Sequence, residues 1–208
     1  MGGVVSTLLA GTMAAFSVDC GGGTCLYGGG KEAPLLSMER FTFAFHAVEL
    51  RPSEMTAEAW IFPTVLSGNH QAVIARGSSI NQDEPWWMGV LDGKPRFWSN
   101  HANSGMDRLD APFAIPMNEW THLAISFDGT NKRLYIDGAD AVSHRGLGAL
   151  VYDAAAVPVT IGSDWANVPG ELFNGRVDEV SLYRRAFSSA EIFSLADAGT
   201  AGKSTAGL

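Results

Sequence analysis

Apolar and polar residues alternate with a period of two over most of the chain's middle, the signature of strands that bury one face. In "RFTFAFHAVEL" (40–50), Phe41, Phe43 and Phe45 share one side. In "TAEAWIFP" (56–63), Ala57, Ala59 and Ile61 oppose Thr56, Glu58, Trp60 and Phe62. Both of those faces are rather apolar, so this strand is predicted to lie inside a sheet, ended by Pro63. "QAVIARG" (71–77) is another short strand. "WWMGVLDGKPRFW" (86–98) predicts a hairpin turning at Asp92-Gly93, because Asp-Gly tolerates the positive φ of a tight turn. "EWTHLAISFDGTNKRLYIDG" (119–138) predicts a second hairpin. There Leu123, Ile125 and Phe127 point inward and are answered by Leu134 and Ile136. Asp128-Gly129 makes the turn, and Asp137-Gly138 begins another. "PVTIGS" (158–163) and "GRVDEVSLYRR" (175–185) supply two further strands.

One helix is predicted. "SSAEIFSLADAG" (188–199) places Ser188 at an N-cap with Glu191 three residues on, a capping box. Ile192 and Leu195 form its apolar strip, and Gly199 is placed to stop it. The remaining stretches around 64–71, 76–85, 99–118, 139–156 and 163–172 are predicted as long loops. No βαβ alternation occurs, so the fold class is all-β: an antiparallel sandwich or jelly roll with one short C-terminal helix. Residues 1–39 divide off as an N-terminal segment with a first strand and a glycine-rich loop, 40–199 as the domain, and 200–208 as a tail.

Composition narrows the function. The chain has 208 residues, 46% of them apolar and 17% charged, which suits one globular domain. The formal charge is −8 with no Lys/Arg-rich run, so a phosphate backbone is repelled and no nucleic-acid partner is expected. No run approaches ~18 apolar residues, so no membrane span is expected. Residues 1–16 are mildly leader-like but lack a basic start. They read rather as a buried first strand of a domain cut from a longer protein. Cys20 and Cys25 in "CGGGTC" are either a small disulfide loop or two unpaired thiols.

In order and spacing, "MTAEAWIFP", "NEWTHLAISFDGTNKRLYIDG", "VTIGS" and "FNGRVDEVSLYRRAFSSAEI" resemble the laminin G-like, concanavalin A-like jelly-roll superfamily in its bacterial-type branch. The signposts are Trp60, Trp120-x-His122, Tyr135-x-Asp137-Gly138, and Asp178-Glu179 running into Ser188-x-x-Glu191. The match covers roughly 40–199; the first ~40 residues lack the family's usual opening. The resemblance implies two curved antiparallel sheets. It also implies an extracellular, secreted or cell-surface recognition role, often toward glycans and often within a larger chain. It implies, too, a calcium ion in many members, with Asp178 as a carboxylate ligand and further oxygens from the N-terminal portion. Asp19 is an acid available there.

The residues themselves offer a platform for sugar. Trp86, Trp87 and Trp98, with Arg96, Asn100 and His101, lie on or beside one predicted hairpin. Sugar rings have apolar C–H faces and hydroxyl rims, which suit an aromatic surface edged by fixed donors. Trp86 and Trp87 must point to opposite faces, so one of them belongs to the core. Arg96, Trp98 and Asn100 share a face. Trp165, with Asp164 and Asn167, forms a second polar-aromatic loop. The expected ligand contacts are therefore Arg96, Trp98, Asn100, Trp87 and Trp165.

Enzyme chemistry finds little support. The five histidines do not cluster, and no zinc spacing occurs. His122 is read as a structural histidine bonded to a neighbouring strand or loop. No Gly-x-Ser-x-Gly elbow is present. Glycoside hydrolysis needs paired carboxylates; Asp178 and Glu179 fall on opposite faces of a regular strand, and no catalytic residue is assigned. A pair assembled from distant strands stays open. The expectation is a non-catalytic carbohydrate-recognition module with a structural calcium. The alternatives are an adhesion or spacer domain and, behind it, a glycan-active hydrolase or lyase.

Overall fold

The computed structural model describes residues 16–18, 51–66, 68–78, 83–145, 147–152, 159–164 and 171–199. The strand expected at 40–50 and the Cys20–Cys25 loop lie outside them. Two sheets stack as a jelly-roll sandwich. The first runs β1 (Phe16–Val18), β11 (Gly175–Tyr183), β2 (Met55–Pro63), β7 (Thr121–Phe127), β8 (Asn131–Ile136), β9 (Ala139–Arg145). The second runs β10 (Val159–Ile161), β3 (His70–Ser78), β4 (Asp83–Leu91), β5 (Lys94–His101), β6 (Gly105–Asp110). β1 pairs with β11 in parallel; every other pairing among these strands is antiparallel.

The alternation chose the core as expected. Ala57, Ala59 and Ile61, Leu123, Ile125 and Phe127, and Leu134 and Ile136 face Trp86, Met88, Val90, Phe97 and Leu109 across the sandwich. Each fully buried large side chain contributes about 1.5–3 kcal/mol. β2 sits between β11 and β7, the interior place its two apolar faces predict. At two turns the expected Asp-Gly pairs take positive φ at both positions: Asp92 at 49° and Gly93 at 76°, Asp137 at 49° and Gly138 at 78°. This left-handed pair matches the twist of a two-residue hairpin. At the third turn Asp128 Oδ1 accepts the Thr130 and Asn131 amides at 3.0 and 2.7 Å, and Gly129 takes φ 86°.

Two stretches expected as loops contain strands instead. β6 lies within 99–118 and β9 within 139–156. Both are edge strands. β6 buries only Leu109, and β9 buries nothing. An edge strand with solvent on most sides needs no apolar alternation; its backbone pairing comes from the neighbour already in place.

The helix α1 (Ser189–Ala198) starts on the Ser188–Glu191 capping box and buries Ile192 and Leu195 against Ala124, Tyr135, Tyr183 and Phe187. It thereby covers the outer face of the first sheet. Gly199 ends it, though not in the left-handed conformation a helix-stopping glycine usually adopts: its φ is −57°. A side chain there is excluded by contact, since a Cβ would stand 2.2 Å from Cζ2 of Trp60. Beneath this cover His122 Nε2 meets Glu58 Oε2 at 2.9 Å, and the Tyr183 hydroxyl donates to Glu58 Oε1 at 3.2 Å. His122 is fully buried, in the structural role read for it.

Lys132 ties the sheets together. From β8 its ammonium reaches across the interior to Asp107 Oδ2 at 2.6 Å, the Asp107 and Phe97 carbonyls, and Ser99 Oγ. Burial pulls this amine down to about 8, against the raising effect of Asp107. Among the described residues no helix is long and apolar enough to cross a membrane.

Candidate functional site

The outer face of the second sheet lies opposite the face that α1 covers, and it carries the hairpin singled out from the sequence. β4 and β5 pair Trp87 with Trp98 and Gly89 with Arg96. β5 and β6 pair Trp98 with Arg108 and Arg96 with Asp110. Period two therefore sets Arg96, Trp98 and Asn100 on one face, while Phe97 packs inward with the core.

Trp86 and Trp87 do point to opposite faces, and both are fully buried. Trp86 joins the core between the sheets, whereas Trp87 lies on the outer side with Ala72, Ala75 and Trp98. Gly89 lets the Trp87 indole lie along the sheet: a Cβ at Gly89 would stand 2.5 Å from its Cη2. Trp87 is thus the floor, and its burial takes it out of direct contact with a ligand. Trp98 is half-buried above it, with ring centroids 6.4 Å apart. Asn100 is likewise half-buried. His101 turns inward, where its Nε2 meets Ser99 Oγ at 2.8 Å and its Nδ1 the Gly148 carbonyl at 3.0 Å. Ser99 is completely buried, so this nucleophile-and-base spacing meets no substrate. Trp165 and Asn167 lie outside the described residues.

Arg96 is buried and committed. Its Nε and Nη2 donate to both oxygens of Asp110, a fork-to-fork pair, and its Nη1 lies 2.8 Å from His70 Nε2. His70 Nδ1 in turn lies 3.1 Å from Glu171 Oε1. A chain Asp110–Arg96–His70–Glu171 thus crosses the face beside the tryptophans. The Arg96 hydrogen bond holds the Asp110 carboxyl below its ordinary value. Burial, then Arg96, lowers His70. Burial, then Glu84, pushes Glu171 up to about 7. Arg108 is exposed, and its guanidinium stacks on the Trp98 ring at 4.8 Å.

Arg108, Asp110, His70 and Glu171 were not among the sequence candidates. Arg108 and Asp110 belong to β6, read as loop. His70 precedes the expected start of β3. Glu171 reaches β3 twice: its side chain meets His70, and its backbone carbonyl accepts the Ala72 amide at 2.7 Å. Recognising β6 as a strand opposite β5 would have found the first two.

Asp178 stands apart, in the first sheet opposite Trp60. The strand is not regular there, as the opposite-face reading of Asp178 and Glu179 assumed. The register shifts between Asp178 and Ser181, and Glu179 takes φ 49°. This bulge buries both acids, and Asp178 Oδ1 accepts the Glu179 amide at 2.8 Å. A buried carboxylate is the right kind of ligand for calcium. Among the described residues no three His, Cys, Asp or Glu side chains form a ready ion seat. The N-terminal oxygens expected to join Asp178, Asp19 included, lie outside the described residues.

Carboxyls from distant elements do meet at the edge of the second sheet, where Glu84, Asp164 and Glu171 come together. Asp164 and Glu84 are buried, so they do not face an open cleft as a glycosidase pair must.

Solved structures of the same fold include domain 4 of the extracellular GH43 arabinanase AbnA from Geobacillus stearothermophilus, in complex with arabinotriose. It is 23% identical over 89% of this chain and 87% of its own, with a TM-score of 0.60. The CBM40 of a Ruminococcus gnavus IT-sialidase, bound to α2,3 sialyllactose, is 18% identical over 70% of this chain and 83% of its own, TM-score 0.60. A candidate carbohydrate-binding protein from Bacteroides ovatus is 15% identical over 73% of this chain, TM-score 0.59, and this chain spans 43% of it. No curated protein sequence matches. The laminin G-type family of the concanavalin A-like lectin/glucanases superfamily matches residues 41–193, and the chain belongs to it.

Proposed function

We propose that this chain is a non-catalytic carbohydrate-recognition module that works outside the cell and takes a glycan on the outer face of the second sheet. The observation that carries the reading is Trp98. It is half-buried on a face that no described element covers, held by a buried Trp87 floor, and flanked by fixed polar groups. A sugar ring stacks its C–H face on Trp98. Asn100 and the exposed Arg108 donate to hydroxyls at the rim. Arg96, locked between Asp110 and His70, keeps the platform rigid, so little side-chain entropy is lost on binding. The arabinotriose and sialyllactose complexes of the two fold relatives support carbohydrate as the ligand class. Calcium, with Asp178 as one ligand, stiffens the first sheet and does no chemistry.

A glycan array followed by calorimetry on Trp98→Ala tests this. The expected result is binding by the native chain to at least one glycan class, weakened tenfold or more in the variant, by roughly the worth of an aromatic stack. Unchanged affinity removes Trp98 from the site. An array with no hits leaves the chain as an adhesion or spacer domain.

A further inference from the structure

β6 sets two charged side chains on the outer face, Arg108 opposite Trp98 and Asp110 opposite Arg96. Their surroundings differ. Both Asp110 oxygens accept from Arg96. Asp107, the other acid of the strand, is held by Lys132 and His144, and Glu171 by His70. Among the described residues no carboxylate pairs with Arg108. It stands exposed, its guanidinium 4.8 Å from the centre of the Trp98 ring. Period two puts Lys94 at the end of the row that holds Arg96, Trp98 and Asn100, and Lys94 too is exposed with no ion pair among the described residues. On a chain of formal charge −8, this face thus presents two cations with no acid committed to either.

A cation–π contact engages no N–H, so the five donors of the Arg108 guanidinium stay unspent. A sugar ring that settles on Trp98 displaces that contact. A neutral ring returns only hydroxyl hydrogen bonds, which water supplied already. A carboxylate or sulfate returns a bidentate, charge-assisted pair that the planar fork fits. Specificity is the difference between those two returns.

We infer that the glycan taken on this face is anionic, and that Arg108 is the residue that selects it. The guanidinium lies on Trp98 until the ring takes its place, then turns onto the carboxylate or sulfate of the saccharide. Lys94 adds long-range attraction. The inference rests on the Trp98 platform being the glycan site.

The full chain is tested on an array of neutral, uronic, sialylated and sulfated glycans. The strongest binder then goes to calorimetry beside its methyl-esterified or desulfated form. The leading binders should be anionic, and removing the charge should cost the native chain about tenfold or more. Which anion leads separates carboxylate from sulfate. Arg108 is exposed, so Arg108→Gln should unfold at the native temperature. In that variant the charged glycan should lose its advantage, while the uncharged form binds about two- to fivefold tighter because the Trp98 ring is uncovered. Arg108→Lys, a charge without a fork, should fall between. Lys94→Gln should weaken the charged glycan about twofold, an effect that salt erases. The inference is overturned by neutral leading binders, by equal affinity for the two forms, or by an Arg108→Gln variant that keeps the preference. Where Trp98→Ala still abolishes binding in those cases, the platform stands and only its anion selectivity falls. An array without binders removes both.

Discussion

On the outer side of the first sheet, Glu58, His122 and Tyr183 lie buried under Trp60, Phe187 and the helix α1. On the outer side of the second, Trp98 and Asn100 stay half-exposed and Arg108 exposed. The two faces draw on similar residue types: an aromatic, a histidine, a carboxylate and an arginine near at hand. Cover makes the difference. Where α1 seals the face, the same polar groups become internal cross-links that must satisfy each other. Where no element described here seals it, they are free to be a surface that a ligand completes.

The comparison breaks most readily at His122. His122→Ala leaves Glu58 buried with one partner fewer, and should cost about 3 kcal/mol in urea unfolding. A loss near zero would mean that the sealed face is not sealed. Next comes Gly199→Ala. The new methyl meets the Trp60 ring, and displacing α1 from it should cost about 2 kcal/mol. Trp98→Ala should behave in the opposite way, costing only about 1 kcal/mol of stability while removing glycan affinity. A variant as unstable as His122→Ala would make Trp98 a core residue.

The smallest effect expected is at Asp110. Its carboxyl lies below the ordinary 3.8 because Arg96 hydrogen-bonds it. A depressed carboxylate stabilises the fold above its unfolded pKa, and that increment is lost as pH falls below 3.8 through the folded value. Asp110→Asn should lose that small increment at neutral pH and flatten the acid limb, so that the two stability curves converge as pH falls. A limb of unchanged slope would show the pair to be ornamental.

The hairpins, the helix and the core were readable because each is written in local chemistry. Asp92-Gly93 and Asp137-Gly138 announce positive φ. Leu123, Ile125 and Phe127 alternate, and Ser188 with Glu191 caps. β6 and β9 were invisible because an edge strand is made by its neighbour's unpaired backbone and carries little pattern of its own. With β6 went Arg108 and Asp110, and so half of the candidate site. Gly199 was found for the wrong reason: the chain shows a helix-stopping residue, while the constraint is a tryptophan over a hundred positions away.

Order along the chain determined the patterned strands, the inward set of side chains and the helix α1, because periodicity and turn chemistry act between residues a few positions apart. Tertiary structure decided which face α1 covers, that Trp87 is floor and Trp98 surface, and that Arg96 is held by Asp110 and His70. It also decided that Glu84, Asp164 and Glu171 gather at one edge. Those are contacts between strands distant in sequence, and a buried charge or an exposed ring exists only once the neighbours that surround or spare it are in place.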